Sequence, residues 1–134
     1  MFTKETWRQD WLKSINELTS IDIQRNSWLD KNNTNPHWSF IEFIVCYFDD
    51  ILEGKDYQHF ILKGWITQKE LESIKDWHKS LEGYESPNHN DYDHESILND
   101  INWIQVVKQG VEAKRNLIQL INNEERKYLI DKIK

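Results

Sequence analysis

Asn35-Pro36-His37-Trp38-Ser39-Phe40-Ile41-Glu42-Phe43-Ile44-Val45-Cys46-Tyr47-Phe48-Asp49-Asp50-Ile51-Leu52 is the stretch on which the fold turns. Asn35 followed by Pro36 is a helix start, with an Asn cap and a proline at the first helical position. From Trp38 to Leu52 apolar residues occupy most of the helical circumference, the pattern of a helix buried on nearly every side. Its longest apolar run, Phe43 to Phe48, is far short of the roughly 20 residues that cross a bilayer. The stretch therefore predicts a central core helix in a protein without a membrane span.

The flanking sequence repeats the helical period. Trp7, Trp11, Ile15 and Leu18 fall on one face of a first helix. Residues 19 to 35 are ambiguous, with Ile21, Ile23, Trp28 and Leu29 suited to a short helix before a polar connection at 30–35. Gly54 stops the central helix. Asp56 then caps a short helix bearing Tyr57, Phe60 and Ile61, which ends at Gly64. Thr67-Gln68-Lys69-Glu70 is a capping box, in which Thr67 and Glu70 satisfy each other's free amides, with Ile66 and Leu71 as a hydrophobic staple. That helix continues through Ile74, Trp77, His78 and Leu81 to Gly83.

Tyr84 to Asp93 reads as a long loop with a turn at Ser86-Pro87-Asn88. Ile97, Leu98, Ile101, Ile104, Val107, Val111, Leu117, Leu120 and Ile121 form the next apolar stripe, and Asp100 is placed to divide it by capping a new helix. Asn122 or Asn123 caps a last helix, 124–134, acidic at its start and lysine-rich at its end as the helix dipole favours. The expected architecture is all-α: one compact domain over residues 1–134, with five to seven helices around the central buried helix at about 38–52.

Charge is distributed unevenly. Between Lys79 and Lys108 there is no Lys or Arg, but there are Glu82, Glu85, Asp91, Asp93, Glu95 and Asp100. Removing those six from the 23 acidic residues leaves 17 against 17 basic, so the net charge of −6 belongs to this one segment. Tyr84 and Tyr92 lie among the carboxylates. A concentrated acidic field with aromatic anchors looks like a docking surface for a basic partner. Glu82, Tyr84, Glu85, Asp91, Tyr92, Asp93 and Glu95 are the candidate partner-binding residues. The same acidity disfavours direct nucleic-acid binding, which needs a basic face. Asp49, Asp50, Glu53 and Asp56 form a second acidic cluster, at the end of the central helix that the dipole leaves negative.

Motifs for catalysis or cofactors are missing. His89-Asn90-Asp91-Tyr92-Asp93-His94-Glu95 has five possible metal ligands within seven residues. It lacks the glycine and distal glutamate of a calcium loop and the i, i+4 histidine pair of a hydrolytic zinc site. Ser39 beside His37 has no nucleophile elbow around it, and no glycine-rich phosphate loop exists. Cys46, the one cysteine, sits in an apolar run and reads as a buried, inert thiol in a reducing compartment. Seven tryptophans argue against disorder. Trp28 is the least constrained of them, and if exposed it is a candidate interface hot spot. The expectation is a cytoplasmic, non-enzymatic protein without metal or cofactor.

Pro36-His37-Trp38-Ser39-Phe40-Ile41-Glu42, Cys46-Tyr47-Phe48-Asp49-Asp50-Ile51-Leu52 and Ile97-Leu98-Asn99-Asp100-Ile101-Asn102-Trp103 resemble segments of small helical immunity proteins. Such proteins are encoded beside bacterial polymorphic or contact-dependent growth inhibition toxins. The resemblance spans roughly residues 36 to 121. It implies a cytoplasmic, often acidic protein that neutralises a cognate toxin domain, frequently a basic nuclease, by covering its active site or a nearby surface. It assigns no functional residue, because these families diverge most where they touch the toxin. Two other classes remain beside it: a helical adaptor or homodimeric regulator, and a metal-dependent enzyme built on residues 89–95.

Overall fold

Local signals in the sequence become helix ends. The structure, a computed structural model, describes residues 3–29 and 39–130. Among them are eight α-helices and no strand: α1 (Lys4–Leu18), α2 (Ile21–Trp28), α3 (Phe40–Val45), α4 (Tyr57–Leu62), α5 (Gln68–Glu82), α6 (His94–Asn99), α7 (Ile101–Ile118) and α8 (Asn123–Ile130). That is one more than the upper expectation. The excess arises because α2 forms in the ambiguous 19–35 region and Asp100 does divide α6 from α7. None of these helices is long and apolar enough to cross a membrane.

Side-chain caps open all eight of these helices. Thr3, Ser20, Asp56, Asp93 and Asp100 accept the backbone N–H of Thr6, Ile23, His59, Ser96 and Asn102. The capping box forms as expected, Thr67 Oγ1 accepting from Glu70 N–H at 3.1 Å while Glu70 Oε1 accepts from Thr67 N–H at 2.8 Å. Asn122 caps α8 by accepting from Glu125 N–H at 2.8 Å. Each such cap contributes about 1 kcal/mol.

The decisive stretch departs from expectation in two ways. Its helix begins at Phe40, because Ser39 is extended (φ −141°, ψ 160°) and its hydroxyl accepts from Glu42 N–H. The proposed start at Asn35-Pro36 lies outside the described residues, as do His37, Trp38 and the expected helix end at 131–134. Second, α3 runs on as a π-helical segment, Cys46–Ile51, closed by Leu52 N–H bonding to the Tyr47 carbonyl. The element is buried on one face, not around its circumference. Phe43, Tyr47, Ile51 and Leu52 are in the core, whereas Val45, Asp49 and Asp50 are exposed. The Ile51 carbonyl, near the helix end, is satisfied from outside by Trp7 Nε1–H at 2.8 Å.

One cluster of buried side chains draws on all eight helices. Trp7 stacks on Trp11 and Phe60 at one end, and Trp28, Phe40, Phe43 and Trp103 meet edge-on or tilted at the other. Trp28 is only 6% exposed, which removes it as a surface hot spot. Helices α5 and α7 approach closely enough that a Cβ on Gly110 would lie 2.7 Å from Trp77 Nε1 and 2.5 Å from the Thr19 methyl. Glycine is required there by space, not by backbone conformation.

Arg8 ties three helices together. Its guanidinium forks onto Glu70 of α5 at 2.7 and 3.1 Å and onto Glu125 of α8 at 2.7 and 3.1 Å, and also donates to the Trp65 carbonyl at 2.8 Å. All five N–H donors are thereby used. Burial alone would lower the Arg8 pKa, but the two carboxylates outweigh it and raise the value, so the charge is held firmly.

Candidate partner-binding surface

The acidic segment runs from the end of α5, through a 3-10 turn at Pro87–His89, to the start of α7. Its residues fall into three groups by what already engages them. Tyr84 is half-buried, its ring 5.0 Å from Trp103 and 6.0 Å from Phe40, and its hydroxyl donates to Asp100 Oδ2 at 2.8 Å. Burial, and then the Asp100 carboxylate, push the phenol pKa up. Tyr84 is therefore part of the floor beneath the segment more than an anchor reaching out of it.

Asp91 and Asp93 serve the loop itself. The buried Ser86 hydroxyl donates to Asp91 Oδ1 at 2.5 Å and staples the loop across the 3-10 turn. Asp93 caps α6, accepting the Ser96 hydroxyl at 2.8 Å and the Ser96 N–H at 3.2 Å. Those two bonds hold its carboxyl below the usual range, so it stays ionised.

Glu85, Tyr92 and Glu95 are left facing solvent. Both glutamates are exposed, and Tyr92 is 74% exposed. Ile101, in the first turn of α7, adds an apolar side chain that is 69% exposed. The sequence pattern counted Ile101 with the core. The new start at Asp100 resets the helical phase, so the buried stripe of α7 is Trp103, Val106, Val107, Gly110, Ala113 and Leu117. A shallow groove joins Glu85 to Tyr84, Ser86, His89 and Asn102, which places the N-terminus of α7 beside the loop. Glu82 is also exposed, but it lines a different recess, with Lys75, His78 and Lys79.

The histidines of the 89–95 cluster separate. His89 is exposed on the 3-10 turn. His94 turns inward, its Nε2 accepting from Phe40 N–H at 3.4 Å, which leaves Nδ1–H to donate to the Trp28 carbonyl at 3.2 Å. With both ring nitrogens engaged by backbone, His94 acts as a structural bridge between α2 and α3. Among the described residues no group of three or more His, Cys, Asp or Glu side chains is gathered to hold a metal ion. In the second acidic cluster, Asp49, Asp50 and Glu53 are exposed and Asp56 caps α4.

An all-α arrangement with an exposed acidic loop is the class that this geometry defines. No family model, no curated protein and no solved structure matches the chain.

Proposed function

We propose that this protein is an immunity-type inhibitor. It binds a basic toxin domain, of the nuclease kind, through the exposed part of its acidic segment. The observation that carries this reading is the exposure of Tyr92, 74%, together with that of the carboxylates Glu85 and Glu95, in a stretch that has no Lys or Arg between residues 79 and 108. An amphipathic ring set among carboxylates combines a desolvated anchor with charge that steers a basic partner into contact. Carboxylates so placed also stand where the phosphates of a nuclease substrate would sit. The resemblance of residues 36–121 to immunity proteins points the same way, and with it a cytoplasmic site of action.

The test is capture of partners by the tagged protein from its own host at low and high salt, read by mass spectrometry, repeated with E85Q/E95Q/Y92A. Recovery of one basic toxin domain, weakened by salt and lost in the triple variant, is the expected result. Recovery of that domain undiminished by the triple variant would remove this surface. Salt-insensitive recovery of the protein's own copies alone would replace the inhibitor with a homodimeric regulator.

A further inference from the structure

A recess of about 770 Å³ opens between α5 and the 54–58 segment, away from the acidic loop. One face of α5 supplies Leu71, Lys75, His78, Lys79 and Glu82, residues spaced to share one side of a helix. Phe48 and Tyr57 supply apolar wall opposite. Lys55, Lys75 and Lys79 bring three ammonium groups against the two carboxylates Asp56 and Glu82, and Asp56 already accepts from His59 N–H. The balance in this recess is positive in a protein whose overall charge is −6.

A buried hydrogen-bond chain ends at this recess. Trp11 Nε1–H donates to the Tyr57 hydroxyl at 2.9 Å, the Tyr57 and Tyr47 hydroxyls bond to each other, and Tyr47 bonds to His78 Nδ1 at 2.9 Å. An indole nitrogen only donates, so the direction that leaves no buried O–H without an acceptor runs from Trp11 to His78. Tyr57 accepts from Trp11 and gives its own proton to Tyr47, which gives its proton to His78 Nδ1. Reversing the chain would strand the Tyr57 O–H in the core. His78 is thus held as the neutral tautomer protonated on Nε2, and burial lowers its pKa in the same sense. His78 lines the recess and Nε2–H is the donor that the chain leaves unused, with Phe48 and Tyr57 packed against the ring at 5.5 and 5.0 Å.

We propose that this recess binds a small organic anion, a carboxylate or phosphate carried on a flat aromatic body. The His78 Nε2–H donates to the anion, Lys75 and Lys79 balance its charge, and the partly exposed Phe48 and Leu71 give the ring an apolar surface. Charge-assisted hydrogen bonds give such a site its affinity, and the apolar wall gives it preference for an aromatic carrier. None of these contacts draws on the acidic loop apart from Glu82 at the rim, so this site and the toxin-binding surface stand or fall separately.

The experiment is a titration of the intact protein with phenyl phosphate and with benzoate, following the His78 ring signals by NMR, with benzyl alcohol and inorganic phosphate as matched controls. The expected result is a saturable shift at His78 with at least one aryl anion. Both controls bind at least about tenfold more weakly, and K75Q/K79Q loses about tenfold or more. Both lysines are exposed, and urea unfolding of K75Q/K79Q measured alongside separates a loss of binding from a loss of fold. No saturable shift at His78 up to about 10 mM of either aryl anion would overturn the proposal. Equal binding of benzyl alcohol, equal binding of inorganic phosphate, or native affinity in K75Q/K79Q would overturn it too.

Discussion

The Tyr84 hydroxyl donates to Asp100 Oδ2 at 2.8 Å while the other oxygen of the same carboxylate caps α7 through Asn102 N–H at 3.1 Å. One aspartate thus joins the start of the acidic loop to α7. The arrangement gives the two tyrosines of the segment opposite roles. Tyr84→Phe should lose a hydrogen bond to a charged group at a half-buried site, a destabilisation of about 1 kcal/mol in urea unfolding. Tyr92→Ala should leave the unfolding midpoint unchanged and weaken partner binding. Binding loss in the Tyr84 variant with none in the Tyr92 variant would reverse the assignment.

Arg8→Ala should be the most damaging single charge removal in the chain. It leaves Glu70 and Glu125 buried or half-buried without their shared cation, and breaking a buried pair costs about 3–5 kcal/mol. Arg8→Lys should recover only part of this, because an ammonium cannot make two forks at once. Denaturant unfolding of the two variants, with circular dichroism as the readout, checks the order Arg above Lys above Ala.

Gly110→Ala sets two effects against each other. Alanine favours the helical backbone by about 1 kcal/mol over glycine. Its Cβ, however, would meet the Thr19 methyl at 2.5 Å and the Trp77 ring nitrogen at 2.7 Å. Both neighbours are buried and Trp77 is rigid in the core, so overpacking of about 1–3 kcal/mol outweighs the propensity gain. The net expectation is a lower melting temperature. A higher one would mean that α5 and α7 separate at little cost.

His78 should make stability depend on mildly acidic pH. Burial lowers its pKa in the folded chain below the ordinary 6.5, against a smaller opposing pull from Glu82, so the unfolded chain binds the extra proton more readily. Stability is then fully present above about pH 6.5 and declines as pH falls through that value toward the lower folded pKa. Protonating Nδ1 would also force the Tyr47–Tyr57 chain to reverse. His78→Gln should flatten the profile of unfolding free energy between about pH 5 and pH 7. A native profile already flat there would refute the directional chain.

Much of the helix layout was legible because capping and periodicity are local. Thr67 with Glu70, Asp56 and Asn122 announce their helices through bonds that span three residues, and such bonds form in nearly the same way whatever surrounds them. The decisive stretch was harder. Its run of apolar residues implied burial on nearly every side, but periodicity has no information on how many neighbours are available to cover a helix. Val45, Asp49 and Asp50 found none.

The candidate surface shows the same division. Absence of Lys and Arg between residues 79 and 108 is a property of the sequence alone, and it located the segment. Which of its residues stay open was decided by partners far along the chain or across the loop. Asp100 took Tyr84, Ser86 took Asp91, and the backbone of Trp28 and Phe40 took His94. The Trp11–Tyr57–Tyr47–His78 chain joins residues up to 67 positions apart (78 − 11), and no spacing rule reaches across such a distance. Sequence by itself determined the all-helical class, most helix ends and the place of the net charge, because these follow from neighbours within a turn or two. Tertiary structure alone decided which carboxylates are free, which tyrosine is exposed and which histidine nitrogen the chain leaves unused, because a polar group is committed or left open only when distant helices pack against it.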